Sequence, residues 1–257
     1  METTRRLALV TGASSGIGAQ IALELARNSF DLFLTGRDAQ RLESVAVSAR
    51  LAGAQVETLV LDLAKVGAAQ ALSKHFEERE LSVLVNNAGF GSSGDFAQMD
   101  PQTLESMILL NVSTLTLLTR LLLPNLLRQP EARVLNVAST AAFSPCPTLA
   151  VYAATKAYVL SFSEALATEL QGTGVSVTAV CPGATVTNFA QTAALNVTQF
   201  SRGAMSAEQV ARQSVRALLR GKRSLVTGWP NAAMAFLTRL TPRSLAAGIA
   251  ASILKNN

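Results

Sequence analysis

Short apolar runs alternate with longer stretches of helical periodicity along this chain. Residues 7–11, 31–35, 56–61, 81–86, 133–138, 175–180 and 224–226 read as strands. Between them, helical patterns run over 16–28, 38–52, 66–78, 101–127, 151–171 and 207–220. The strand Val83-Leu84-Val85 has no polar face, which suits a strand covered on both sides. Such alternation predicts the α/β class: a doubly wound parallel sheet with helices on both faces. Helix starts are marked too. Asp100-Pro101 offers an N-cap followed by proline at the first helical position. Ser206 and Gln209 form a capping-box pair.

With 257 residues and 49% hydrophobic content, the chain suffices for one substantial core. No linker, repeat or charge block divides it, so residues 1–257 read as one domain. Two cysteines, Cys146 and Cys181, give neither a disulfide framework nor metal-site spacing. They read as packed thiols in a reducing, cytoplasmic setting, and the single His75 as a solvated surface residue. Arg5-Arg6 precedes only a four-residue apolar run, too short for a secretory signal. The leucine-rich stretch 108–127 is interrupted by Asn111, Arg120 and Pro124, which suits a buried or interface helix better than a transmembrane segment.

The net charge of +5 is unevenly placed. After Leu170 the only acid is Glu208, against Arg202, Arg212, Arg216, Arg220, Lys222, Arg223, Arg239, Arg243 and Lys255. This is either a solvated face or a surface for an anionic partner, such as an acyl carrier, a coenzyme A tail or acidic lipid. Few aromatics interleave with these cations and no nucleic-acid motif occurs, which argues against nucleic acid.

Three features carry chemistry. The turn Thr11-Gly12-Ala13-Ser14-Ser15-Gly16-Ile17-Gly18 joins the first strand to the first helix, where glycines admit close approach of a pyrophosphate to a helix N-terminus. Tyr152 and Lys156 are four residues apart and share a helix face. A lysine ammonium there favours the phenolate and tunes the tyrosine as a proton donor and acceptor. Ser139 ends the fifth strand, within the same half of the chain.

The three-residue gap between Gly12 and Gly16, Asp62-Leu63, Asn86-Asn87-Ala88-Gly89, Asn111, Ser139, the Tyr152/Lys156 pair and Pro182-Gly183 with Thr187 occur in one order. Over roughly 7–187 the chain resembles the short-chain dehydrogenase/reductase family, in its compact single-domain branch. The resemblance implies a Rossmann fold, a bound nicotinamide dinucleotide and hydride transfer between it and a carbonyl/alcohol pair. It assigns Gly12, Ser14, Ser15, Gly16, Ile17 and Gly18 to the pyrophosphate turn, Asp62 and Leu63 to the adenine, and Asn87, Ala88 and Gly89 to the wall near its ribose. Pro182, Gly183, Thr185 and Thr187 fall at the nicotinamide end. Tyr152 becomes the proton donor in reduction. Lys156 lowers its pKa and binds the nicotinamide ribose, Ser139 hydrogen-bonds the substrate oxygen, and Asn111 holds a water that links Lys156 to solvent. Asn111 also admits a purely structural reading, as a helix-bending residue.

At the end of the second strand stands Thr35-Gly36-Arg37-Asp38. No acid occupies the place of Gly36, and Arg37 suits a ribose 2′-phosphate, so NADP(H) is favoured over NAD. Asp38 is an acid one step later, read here as the next helix's N-cap.

Residues 188–205 read as a substrate lid carrying Phe189, Leu195, Val197, Phe200 and Met205, with Phe143, Pro145, Pro147 and Leu149 as the opposite wall. Both suggest an apolar substrate: a 3-oxoacyl chain, a sterol-like molecule or a hydrophobic aldehyde or ketone. Residues 229–257 form an apolar tail of extra helices, suited to a subunit interface or to peripheral membrane contact. Family analogy implies a homodimer or homotetramer. The competing reading is a non-catalytic nucleotide-binding or scaffold protein on the same fold.

Overall fold

The structure is a computed structural model and describes residues 5–195, 197, 203–242 and 245–248. Seven strands form one parallel sheet: β1 (Arg6–Thr11), β2 (Phe30–Gly36), β3 (Val56–Val60), β4 (Val83–Asn86), β5 (Ala132–Val137), β6 (Val175–Cys181) and β9 (Ser224–Val226). Their order is β3-β2-β1-β4-β5-β6-β9, so the order reverses between β1 and β4. Ligands of open α/β sheets bind outside the carboxyl ends at such a switch point. A two-stranded ladder, β7 (Thr185–Val186) with β8 (Met205–Ser206), stands above the sheet's end.

Burial on both faces follows from strand alternation. Val10, Leu34, Val83 and Val85 enter one apolar core with Leu25 of α1 (Gly16–Arg27), Leu42 of α2 (Ala39–Leu51) and Val215 of α8 (Ala207–Leu219). Leu9, Leu84 and Val134 enter the other. There they meet Leu72 of α3 (Ala68–Ser73), Leu118 of α5 (Leu115–Leu127) and Leu166 of α6 (Ala150–Glu169). The expected α/β fold is thus present, with all seven sequence-predicted strands in the sheet.

The caps anticipated from sequence also form. Asp100 accepts from the backbone amides of Gln102 and Thr103 at the start of α4 (Pro101–Ile108). Ser206 and Gln209 complete a reciprocal capping box on α8.

Three departures matter. The helix expected over 66–78 is only α3 followed by a 3-10 turn at Lys74–Phe76, because Gly67 takes a left-handed φ of +83° and Val66 lies in solvent. The long helix over 101–127 is interrupted by a π-helical turn, Leu109–Thr114, with Asn111 inside it. That whole span is long and apolar enough to cross a membrane, but 44% of its most apolar window is buried against protein. In the tail expected over 229–257, α9 (Trp229–Leu240) ends at Thr241, before Pro242, and residues 245–248 are helical again. Phe200, Arg202, Arg243 and Lys255 lie outside the described residues.

Candidate active site

A cavity of about 860 Å³ opens along the carboxyl ends of the strands. At one end is the glycine turn. Gly12 holds φ at +64°, and a Cβ there would lie 2.9 Å from both the Ala88 Cα and Asn87 Nδ2. A Cβ at Gly18 would run into the Gly12 carbonyl oxygen and the Asn87 amide. Asn87 is the clasp of this turn: its Nδ2 donates to the carbonyls of Thr11 (2.9 Å) and Gly12 (3.1 Å). Thr11 Oγ1 accepts in turn from the amides of Asn87 (3.0 Å) and Ala88 (3.1 Å). The asparagine next door does different work. Asn86 is buried and donates to Thr119 Oγ1 (2.9 Å) and Asn136 Oδ1 (2.8 Å), tying β4 to α5 and β5. This tight backbone cradle, open to the cavity at the amino end of α1, fits a pyrophosphate.

Every cofactor-side residue expected from sequence lines the cavity: the turn residues, Arg37, Asp62, Leu63, Asn87 to Gly89, Pro182, Gly183, Thr185 and Thr187. Asp38 is engaged elsewhere, accepting from the Arg41 amide (2.9 Å) as the α2 N-cap and pairing with the Arg41 guanidinium. Arg37 is exposed and makes no hydrogen bond or ion pair with another described residue. Asp62 accepts from the Ala64 amide (3.0 Å), which leaves its second oxygen open.

At the centre of the cavity stand Ser139, Tyr152 and Lys156. β5 delivers Ser139, and the first two turns of α6 deliver the other pair. Ser139 Oγ accepts from the Ala141 amide (3.1 Å). Lys156 Nζ donates to the Val137 carbonyl (2.8 Å) and lies 5.8 Å from the centre of the Tyr152 ring. Burial pushes the Tyr152 phenol up to about 12, against a hydrogen bond from Ser139 that favours the phenolate. Burial also pulls the Lys156 ammonium down to about 8. The lysine was expected to lower the tyrosine pKa. In this structure desolvation sets the tyrosine's direction, because the phenol is buried and the Lys156 ammonium is turned to a backbone carbonyl instead.

Asn111 does not reach the cavity. Its Nδ2 donates to the Phe90 carbonyl (2.9 Å) and Thr155 Oγ1 (3.1 Å), and its Oδ1 accepts from the Phe90 amide (3.1 Å). Only one lone pair of Oδ1 is left for a water. A Cβ at Gly89 would sit 2.9 Å from that oxygen and 3.5 Å from Lys156 Nζ, so Gly89 keeps the passage between them narrow but free of side chain.

The far end is apolar. Phe189 and Leu195 of the expected lid line it, whereas Val197 lies in solvent. Of the expected opposite wall only Leu149 does so; Phe143 packs instead on Val159 and Leu160 behind β5, and Ser144 and Cys146 take its place. Burial raises the Cys146 thiol, while Cys181 is fully enclosed. Met234, Leu237 and Thr238 of α9 close the rim, a contribution with no signal in the sequence beyond the tail's apolarity. The described residues contain no cluster of metal-ligating side chains.

The described basic residues expected to offer a surface for an anionic partner do not line the cavity. Lys222 and Arg223 lead into the amino end of β9, and a Cβ on Gly221 would lie 3.8 Å from the Ser176 Cβ near the amino end of β6. Among the described residues lining the cavity, only Arg37 and Lys156 carry positive charge.

A parallel sheet with this glycine cradle and this Ser/Tyr/Lys cluster defines a dinucleotide-dependent oxidoreductase site. The short chain dehydrogenase family model matches residues 6–197, and the chain belongs to that family. It is 36% identical over 186 residues to an uncharacterized oxidoreductase of Staphylococcus saprophyticus, covering 71% of this chain and 80% of that one. It is 33% identical over 180 residues to a very-long-chain 3-oxoacyl-CoA reductase of Danio rerio, covering 68% of this chain and 56% of that one. A short-chain dehydrogenase from Sphingobium yanoikuyae in complex with NADPH superposes with a TM-score of 0.82 at 31% identity, over 93% of this chain and 97% of that one.

Proposed function

We propose that this protein is an NADP-dependent oxidoreductase that interconverts a carbonyl compound and its alcohol, with an apolar substrate. The observation that carries this is the convergence of Ser139, Tyr152 and Lys156 on the middle of one cavity, between the glycine cradle and an apolar end. When bound, the nicotinamide dinucleotide supplies or accepts the hydride. The chain's own groups manage the oxygen. A carbonyl that gains hydride at carbon develops negative charge on oxygen, and hydrogen bonds that strengthen with that charge lower the barrier. Ser139 holds this oxygen. Tyr152 gives it a proton in reduction and takes one in oxidation. Burial keeps the phenol protonated, the form an acid needs, and the charge that develops on the substrate oxygen draws the proton off.

Lys156 favours the departure of that proton and binds the nicotinamide ribose. Asn111 braces the Phe90 backbone and presents one Oδ1 lone pair to a water beside Lys156. Arg37, exposed at the rim and free of competing partners, is the group for a ribose 2′-phosphate. Asp38, spent as a cap, is not poised to bind a ribose diol. The NADPH-bound relative supports this choice.

The apolar end, with no charged side chain beyond Lys156, supports an uncharged hydrophobic ketone, aldehyde or 3-oxoacyl group. Lys222 and Arg223 precede β9, away from the carboxyl strand ends, so the described cation best placed to meet an anionic acyl carrier at the rim is Arg239, exposed on α9 beside Thr238. Residues 1–257 act as one domain, with a cytoplasmic location. Exposed Leu117 and Leu121 of α5 and Tyr158 of α6 suit a homodimer or homotetramer, and exposed Trp229, Phe236 and Leu240 of α9 suit a further protein contact rather than lipid.

The test is NADPH oxidation across ketones, aldehydes and 3-oxoacyl thioesters, with Tyr152→Phe and NADH alongside. A scaffold protein would bind nucleotide and turn nothing over.

A further inference from the structure

Phe189 follows the nicotinamide-end Thr187 by two residues and opens the four-residue helix α7 (Phe189–Thr192). Its ring lies against that of Tyr152, with centroids 5.2 Å apart and planes at 45°. Both rings share one apolar cluster with Leu149 and Leu195. The Cε2–Cζ edge of the Phe189 ring covers Gly91. A Cβ on Gly91 would stand 2.8 Å from Phe189 Cζ and 3.0 Å from Tyr152 Cδ2, so no side chain fits where the two rings meet. The same loop holds α7 in place: the Ser93 amide donates to the Ala193 carbonyl (2.9 Å) and Ser93 Oγ to the Ala194 carbonyl (3.2 Å).

We infer that Phe189 is the specificity-determining wall of the substrate end. It sets how large a substituent a ketone can carry on the side facing α7, and Gly91 is the vacancy that lets the ring sit so close to the reacting tyrosine. This rests on Tyr152 being the proton donor proposed above. Leu149, Cys146 and Leu195, with Met234 and Leu237 of α9, line the rest of this end. Phe189 alone among them touches the Tyr152 ring as a separate aromatic face. An aromatic ring replaced by a methyl opens room for one phenyl-sized group. Hydrophobic pockets discriminate by about 10- to 200-fold on differences of this kind or smaller.

The test compares acetophenone with benzophenone, which differ only in methyl against phenyl on one side of the carbonyl. Phe189→Ala is expected to raise the ratio of kcat/KM for benzophenone over acetophenone at least tenfold. Its NADPH Kd should stay within twofold and its pH profile unchanged. Phe189→Leu gives an intermediate ratio and guards against a misfolded alanine variant. Gly91→Ala alone should lower turnover of both ketones at least tenfold, and most of that loss should return in the Gly91→Ala/Phe189→Ala double variant, where the methyl enters vacated space. Thermal melting of the four forms should show the same non-additivity. An active wild type whose ratio stays within twofold in Phe189→Ala overturns the assignment of Phe189 and leaves the oxidoreductase reading standing. Additive melting shifts overturn the Gly91 contact. Absence of turnover in wild type and variants across the whole carbonyl panel overturns the reaction itself, and the specificity wall with it.

Discussion

The two ends of the cavity are built from different materials. At the dinucleotide end the surface is backbone. Gly12, Gly16 and Gly18 leave no room for side chains, and Asn87 and Thr11 clasp the turn through four hydrogen bonds. At the substrate end the surface is side chain: Leu149, Phe189, Leu195, Met234 and Leu237, carried on short or terminal elements that make few polar contacts. A backbone site tolerates substitution poorly, because an atom added at Gly12 or Gly18 meets backbone or the Asn87 amide. A side-chain site can be recut one residue at a time. Changes at the first end should therefore abolish binding, and changes at the second should redirect specificity.

The largest effect belongs to the groups between the two ends. Tyr152→Phe removes the proton donor and should cost about 10²- to 10⁴-fold in kcat, with nucleotide affinity retained. Gly18→Ala comes next. Its methyl collides with the Gly12 carbonyl, and overpacking of this kind costs about 1–3 kcal/mol. Melting should fall by several degrees and NADPH binding should be lost, read by calorimetry and fluorescence titration. Arg37→Ala should weaken NADPH about tenfold, the low end for an exposed charge-assisted pair, and leave NADH unchanged. Equal losses for both nucleotides would remove the 2′-phosphate from the account.

The smallest effect is on pH. The folded Lys156 pKa is lowered to about 8 from 10.5, so the unfolded chain binds more protons between those values and stability rises with pH across that window. Tyr152 acts oppositely and higher, since its folded pKa of about 12 exceeds 10.0 and stability falls as pH passes from 10 to 12. Lys156→Met should flatten the rise between pH 8 and 10, seen as a melting temperature that no longer climbs there.

The backbone end was legible in the sequence because its signals are local. A glycine spacing, an Asn-Asn-Ala-Gly run after an apolar strand and an arginine after Gly36 each report their own surroundings. The seven strands were legible for the same reason: alternation and apolar runs are read within a few residues. The substrate end was less legible. Phe143 and Cys146 are three residues apart with similar apolarity, yet one faces the core and the other the cavity, and only the 3-10 turn at Thr140–Phe143 decides which. The π-helical turn at Asn111 was hidden by continuous helical periodicity. The pKa direction of Tyr152 depends on burial by Leu149, Met107 and Phe189, which come from three separate segments. Spacing places two groups on one face of a helix and says nothing of the solvent they lose.

The most direct measurement is single-turnover NADPH oxidation with the best ketone of the panel, run on wild type and Tyr152→Phe at equal nucleotide saturation. A fast single-exponential phase is expected in wild type and a rate at least a hundredfold lower in the variant, with identical NADPH affinity. Equal rates in the two proteins would contradict it, and would move the proton transfer, and with it the active centre, away from Tyr152.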